Sequence, residues 1–483
     1  MQIECLDNPN KDTVDVLLIT VPWTDSSMPL MAPAVLLPVI ESTGATAKCV
    51  DLNIEVYNMV KDHEHKDALV RFFFDEVIDP DIEEWVLDML TSIATQIMSY
   101  QPKYVGLSLF SYVCQHTAKW LSYVIKKIDP NVKIVIGGAG CLTTFTGPSE
   151  FAQDCIQQGI VDYHLRGDGE QAFYELLTGN ADYPGINSLE WKELDREALA
   201  KLPIPDYRHY NFDLYQQRSL PLVGSRGCVR QCKFCDYIAN WKKFQWRNAD
   251  DIFNEMYYQY KKYKIRDFKF QDSLTNGNMK EFLRLTELLA EHNQTNPDEK
   301  FTWSGYFIFR NPTTNSDYEW EMIKASGAKV LVVGIENLNE HIRYHIGKKF
   351  SNEAIDYHLE QAYKHNITIQ VLNIVGYINE TQADIDFAKK WLDEHTKYKD
   401  MMYLQWGGTL GIFPNTWLER NINDLGIIQT DKHPQSWVNE SIGSTPSVRA
   451  NWVKDLNQYS SNLGYTVADN IDNHFLLEIL MNA

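Results

Sequence analysis

The sequence has no uninterrupted apolar run of the about 18 residues that a membrane-spanning helix needs. Its start, residues 1–7, has neither a basic head nor an apolar stretch behind it, so no export signal is expected. Positive charge is scarce as well. Against 65 Asp and Glu there are 45 Lys and Arg, a formal net charge of −20. That argues against nonspecific binding to nucleic acid or anionic lipid, because both depend on basic patches. Paired cysteines are lacking too. Of the eight present, Cys5, Cys49, Cys114, Cys141 and Cys155 are scattered. They read as small apolar residues and not as a disulfide framework, which suits a reducing, cytoplasmic setting. What the chain has in quantity is apolar and aromatic material. It is 44% hydrophobic, with 13 Trp, 26 Tyr and 21 Phe in 483 residues, enough for two or three folded domains.

The other three cysteines are not scattered. Cys228, Cys232 and Cys235 fall within eight residues of one loop, in the spacing C-x3-C-x2-C. Thiolate is the usual protein ligand of an iron–sulfur cluster, and a full set needs four. Three leave one iron open, and an open metal position is where chemistry takes place. A structural zinc knuckle is the alternative. Zinc takes a closed set of four ligands, usually as two pairs. No fourth cysteine lies near the loop, and His209 is far upstream.

Over the first 180 residues, apolar strands at 15–21, 47–52, 104–110, 133–138 and 161–166 alternate with segments of helical spacing. A helix is expected at 32–42, closed by Gly44, and another from the third strand to residue 127. Residues 55–102, acidic and aromatic, read as helices of an insertion. Such alternation predicts an α/β domain, a Rossmann-like doubly wound parallel sheet covered on both faces, with ligands at the carboxyl ends of its strands. Residues 181–218 read as a connector, with a short helix at 195–201 and an extended stretch held by Pro203 and Pro205. From 219 to 425, strands at 219–225, 268–272, 301–307, 329–335, 368–375 and 402–408 recur in strand–helix units. Polar residues or glycine follow each strand, as on the catalytic rim of a β/α barrel. Six such strands predict a partial (β/α)6 barrel of TIM type. Residues 426–483 read as a small helical region, with helical periodicity at 452–463 and 473–480.

The cysteine loop, with Phe234 before its last cysteine, resembles the signature of the radical S-adenosylmethionine enzymes. The preceding domain resembles the cobalamin-binding domain found in many of them. Its matches are Ser108 after the third strand, Gly137 and Gly138 after the fourth, and Arg-Gly-Asp-Gly-Glu at 166–170, where the family has Arg-Gly-Glu-Gly-Glu. Glycine at such strand ends lets the backbone approach a flat macrocycle. The loop at 22–31 lacks the histidine that ligates cobalt in other cobalamin domains, an absence common among the radical members. The segment 202–207, Leu-Pro-Ile-Pro-Asp-Tyr, resembles the family's link between the two domains.

That resemblance implies a [4Fe–4S] cluster on Cys228, Cys232 and Cys235. It implies S-adenosylmethionine contacts from Phe234, from Asp272 and Ser273 to the methionine amino group, from Arg310 to the carboxylate, from Glu336 near the ribose, and from Gly376 against adenine. It implies cobalamin contacts from Ser108, Gly137 and Gly138. Other readings stand beside these. Asp272 or Ser273 would serve equally as a helix cap, and Glu336 as a buried acid paired with Arg310; Lys348, in Gly347-Lys-Lys349, resembles a basic position of the family and reads equally as a solvated surface lysine. Asn415 replaces a family glycine and tolerates left-handed backbone.

The activity so implied is cleavage of S-adenosylmethionine to a 5′-deoxyadenosyl radical, with an electron donor such as flavodoxin or ferredoxin. The reaction most directly implied is methylation of an unactivated carbon or phosphorus centre of a small molecule or peptide. A non-methylating radical rearrangement or cyclisation by an enzyme of the same cobalamin type, with or without cobalamin in its N-terminal domain, is the alternative. Methylthiolation of transfer RNA predicts a basic tail and further clustered cysteines, and the sequence has neither. A metal-stabilised binding module would require a fourth ligand.

Overall fold

β1 (Val16–Thr20) is buried at all five positions, as a central parallel strand covered on both faces must be. In this computed structural model it pairs in parallel with β2 (Ala47–Asp51) and β3 (Tyr104–Ser108). β4 (Lys133–Gly137) and β5 (Tyr163–Leu165) complete a five-stranded sheet of order β2-β1-β3-β4-β5. The expected Rossmann-like sheet is therefore present. The structure describes residues 3–467 except 4, 5, 9, 11, 65, 67–70, 73–79, 143–149, 314, 315 and 432. Cys5 and the helix expected at 473–480 lie outside them.

The chain divides into two units at residues 218 and 219. In the first, the helix Met31–Glu41 packs on Gly169–Leu177, and Pro80–Met98 packs on Cys114–Ile128. Leu18, Leu37, Ile40, Val135 and Phe173 share one core cluster. Strand order reverses between β1 and β3, which creates the crevice where ligands of such sheets bind. Registers set Asp51, Thr20, Ser108 and Gly137 side by side at the carboxyl ends. Residues 181–218 pack onto this unit. The Tyr215 hydroxyl donates to Asp51 at 2.6 Å, and His209 Nδ1 accepts from the Cys49 N–H at 3.2 Å. Burial pushes that imidazole down to about 4, so it stays neutral and able to accept. Cys49, Cys114, Cys141 and Cys155 are buried free thiols.

The second unit holds a seven-stranded parallel sheet. Its strands are β6 (Ser219–Leu222), β9 (Asp267–Phe270), β10 (Thr302–Phe307), β11 (Ala328–Glu336), β12 (Thr368–Val375), β13 (Met402–Thr409) and β16 (Thr466–Val467). Two small antiparallel pairs lie outside it, β7 (Ser225–Arg226) with β8 (Gln245–Trp246) and β14 (Ile428–Gln429) with β15 (Trp437–Val438). β6 and β16 form the two edges and do not pair with each other, so the sheet is open. The tail is not purely helical, as expected from its periodicity. The helix Pro446–Asn462 starts on a Thr445 cap with proline in its first turn. The two residues of β16 then join the β13 edge, a strand too short to show any period. Along β12 one face is buried and the other only half-buried. No described helix is long and apolar enough to cross a membrane.

Candidate functional site

Backbone geometry sets the cysteine loop. Gly227 has φ +79°, and a Cβ there would collide with the Lys243 carbonyl oxygen. Its N–H donates to the Tyr237 hydroxyl at 3.2 Å. Gly227→Ala is therefore expected to cost more than the about 1–2 kcal/mol of a left-handed alanine alone. Gly44→Ala, at φ +88° with open space around it, should cost only that backbone term. Urea unfolding of the two variants checks the difference.

Asp272, just past β9, holds the base of the loop. Its two carboxylate oxygens accept from the Gly224 N–H and the Ser225 hydroxyl, each at 2.7 Å. The side chain is 2% exposed, and burial pushes its carboxyl up to about 6 despite those bonds. It caps no helix, because the next one begins at Met279 on an Asn278 cap. Ser273 is half-buried beside it. The tip of the loop is stitched elsewhere. The Lys233 N–H donates to the Ile346 carbonyl at 3.0 Å, and the Leu418 N–H donates to the Lys233 carbonyl at 3.1 Å.

Cys232 is buried among Ile342, Ile346, Tyr377 and Leu410, and Phe234 and Cys235 pack on the same cluster. Phe234 is thus a packing residue of the loop. Cys228 Sγ accepts from the Arg230 N–H at 3.4 Å. Burial pushes the Cys232 thiol up to about 12 and raises Cys235 as well, so taking up metal there would release protons. Among the described residues no three Cys, His, Asp or Glu side chains converge on a single-ion position. A cluster that takes each thiolate on a different iron does not need such convergence. Three thiols on one loop, with no fourth beside them among the described residues, fit a [4Fe–4S] group with an open iron.

Beside the loop lies a buried ion pair. Lys348 Nζ is 2.8 Å from Glu336 Oε1, with both side chains under 15% exposed, at 13% and 11%. Lys348 is thus no surface lysine. Burial works to lower its pKa, yet Glu336 holds it above the usual lysine range. Glu336 ends β11 at a register shift with φ +65°. Such backbone costs a non-glycine residue about 1–3 kcal/mol, and the bulge re-aims the side chain. Arg310 is not the partner of Glu336. It bonds Glu319 at 2.7 Å, since the helix Ser316–Ala325 that follows it supplies the nearer acid.

The turn after β12 is held from within. Glu380 is buried and accepts from Asn337 Nδ2 and from the Gly376 and Tyr377 N–H groups. Thr381 begins the helix Gln382–Glu394 with a capping box. Gly376 has φ +75°, and a Cβ there would collide with Arg449. Asn415 takes the left-handed backbone expected of it, at φ +63°. Burial pushes Glu380 from the usual 4.5 up to about 7. The native state then binds a proton that the unfolded chain has released, so this contribution is present below pH about 4.5 and is lost as pH rises through about 7. Asp272 adds the same sign between about 4 and 6. Stability should fall between pH about 4 and 7, and Glu380→Gln should flatten that slope in thermal melts.

In the first unit, Ser108 and Gly137 are half-buried at the carboxyl ends of β3 and β4. Gly138 differs. It has φ +103°, and a Cβ there would collide with the Leu109 carbonyl. Glycine at 138 is thus required by the chain's own packing, whatever binds nearby. A Cβ on Gly137 would stand 3.6 Å from the nearest atom, an ordinary contact. The 166–170 motif turns inward: Asp168 Oδ2 accepts from the Leu194 N–H at 2.7 Å, and Gly167 abuts the Lys192 backbone. Thr20, in register with Ser108, has a buried hydroxyl without a hydrogen-bond partner among the described residues. Sequence reasoning passed over Thr20, Glu380 as a clamp, and the Glu336–Lys348 pair. Of these, only Thr20 and Glu336 stand at strand ends, the one signal the sequence offered for them.

Residues 222–392 match the Radical SAM superfamily. Among solved structures, the radical S-adenosylmethionine methyltransferase TsrM from Kitasatospora setae, with cobalamin and a [4Fe–4S] cluster bound, aligns with a TM-score of 0.67 at 14% identity. That alignment covers 96% of this chain and 90% of the other. The cobalamin-dependent S-adenosylmethionine radical enzyme OxsB, with aqua-cobalamin bound, gives a TM-score of 0.63 at 14% identity over 98% and 71%. At these identities the likeness is one of fold. An anaerobic magnesium-protoporphyrin IX monomethyl ester cyclase of Synechocystis is 20% identical over 287 residues, 56% of this chain and 54% of that protein. Its counterpart in Rubrivivax gelatinosus is 21% identical over 221 residues, 41% and 38%. The chain thus spans about half or less of the length of these curated relatives.

Proposed function

Residues 222–392 form a radical S-adenosylmethionine domain, and on that premise we propose that the chain is a cobalamin-using radical enzyme that methylates an unactivated centre. The observation that carries the reading is the cysteine loop, braced at its base by Asp272 and at its tip by the Ile346 carbonyl, with a buried ion pair alongside. Cys228, Cys232 and Cys235 hold the cluster, which when bound supplies one electron to the sulfonium of S-adenosylmethionine and so releases the 5′-deoxyadenosyl radical. The Glu336–Lys348 pair offers a carboxylate and an ammonium at the strand end, groups suited to ribose hydroxyls and a carboxylate. Ser273, Arg310 and Gly376 follow the carboxyl ends of β9, β10 and β12 and are the further contacts of this reading. Ser108 and Gly137 are the cobalamin contacts, and the cofactor when bound supplies a methyl carrier. Tyr377 and Leu410 shield the Cys232 end of the loop from water.

The fold likeness to cobalamin-bound structures supports the methylating reading. The sequence matches to ester cyclases favour a second one, radical ring formation on a small molecule. A flavodoxin- or ferredoxin-type donor and a reducing cytoplasm suit either. The experiment is anaerobic turnover with S-adenosylmethionine, with and without cobalamin. The methylating reading predicts 5′-deoxyadenosine together with S-adenosylhomocysteine, both dependent on cobalamin. 5′-Deoxyadenosine alone, unchanged by cobalamin, would favour the cyclase reading. Gly137→Ala should leave folding intact and weaken cobalamin uptake, whereas Gly138→Ala should unfold the unit and cannot discriminate.

A further inference from the structure

Helices cover one face of the unit 2 sheet, and the opposite face carries an ordered, uncharged floor. Registers place Tyr306, Val332, Gln370 and Tyr403 in one row across β10, β11, β12 and β13. Gly334, Leu372 and Gln405 form the next row toward the carboxyl ends. Neither row holds an Asp, Glu, Lys, Arg or His. Tyr306 and Tyr403 are 44% and 41% exposed, and neither hydroxyl has a hydrogen-bond partner among the described residues. A single exposed aromatic means little. Two in one row, three strand spacings or about 14 Å apart, frame a surface the width of a small ring system.

Gln370, between them, is bonded to Gln405, two residues beyond Tyr403 on β13, with Gln370 Nε2 donating to Gln405 Oε1 at 3.1 Å. One carbonyl and one amide NH2 then remain for a ligand. Exchanging the orientation of both amides leaves the same pair, one acceptor and one donor. The complement is an N–H beside a C=O. Two of the charge pairs beyond the floor are already matched. Asp267 and Lys329 pair at 3.0 Å toward the amino ends, and Glu336 and Lys348 pair toward the carboxyl ends. Lys269 lies one row lower, in register with Ser304. A charged substrate group seated on these two rows would lose its hydration without meeting a counter-charge in either row.

We infer that this face binds an uncharged, planar ring compound bearing an amide-type edge, with the ring between Tyr306 and Tyr403 and the edge on Gln370 and Gln405. The inference rests on the radical-enzyme reading and adds its substrate class. Three probes of one shape test it on the full chain by calorimetry: 2-quinolone, which has the edge; quinoline, which lacks it; and quinoline-2-carboxylate, which is charged. 2-Quinolone should bind about tenfold more tightly than either of the others. Gln370→Leu combined with Gln405→Leu should bring it down to the level of quinoline and leave quinoline unchanged. Tyr306→Ala and Tyr403→Ala should each weaken both neutral probes, with melting temperature recorded to confirm folding. Equal or tighter binding of the carboxylate overturns the inference, as does 2-quinolone affinity that none of the variants changes. The same preparation is assayed for S-adenosylmethionine cleavage. Cleavage without preference for 2-quinolone removes the substrate class alone, whereas preference without cleavage removes the radical reading and leaves the pocket.

Discussion

Replacing Cys228, Cys232 and Cys235 together with alanine should abolish iron uptake and 5′-deoxyadenosine formation while the chain stays folded. Only Cys232 is fully buried among apolar neighbours, so the substitutions remove little core, about 1 kcal/mol for a group of that size. The loop keeps its shape through Gly227, the Asp272 carboxylate and the Lys233 backbone bonds, none of which involves a thiol. After anaerobic reconstitution the native chain should carry about four irons and the variant none. Circular dichroism and melting temperature should be close to native. A cysteine-free chain that still cleaves S-adenosylmethionine would remove the loop from the chemistry.

Lys348→Met should be among the most destabilising single changes in the second unit. It leaves the Glu336 carboxylate buried and unpaired, and breaking such a pair costs roughly 3–5 kcal/mol. Adding Glu336→Leu should return much of that loss, since replacing a whole buried pair with apolar residues is often neutral. The two parts of the account then separate. The double variant should fold and bind iron, yet bind S-adenosylmethionine weakly, if the pair meets the ligand. Stability restored together with full cofactor affinity would make the pair purely structural. Urea unfolding and equilibrium dialysis supply the two readouts.

Those effects also mark how far the sequence could be read. The strands were legible because each is a short apolar run between turn residues, so β1 through β6 and β9 through β13 fall within a few residues of their expected places. β16 has only two residues, too few for any period, and its pairing depends on where the preceding helix delivers it. The cysteine loop was legible because its chemistry depends on spacing along the chain. Partner choice was not. Arg310 has several acids within reach along the sequence, and only the fold shows that Glu319 is the one beside it. Lys348 read equally as a family basic position and as a surface lysine, because nothing local says that the Glu336 bulge brings a carboxylate to it. Gly138 had a plausible ligand-based reason, and the structure supplies a nearer one in the Leu109 carbonyl. Asp272 likewise has its oxygens turned onto the loop and caps no helix.

The central claim is that the three-cysteine loop holds a cluster with one iron left open for S-adenosylmethionine. Mössbauer spectroscopy of the chain reconstituted with isotopically enriched iron tests it most directly. The account predicts a [4Fe–4S] spectrum in which, on addition of S-adenosylmethionine, one iron becomes distinct from the other three by a larger isomer shift. A spectrum in which no single iron responds to S-adenosylmethionine, or a chain that takes up zinc in place of iron, would contradict it.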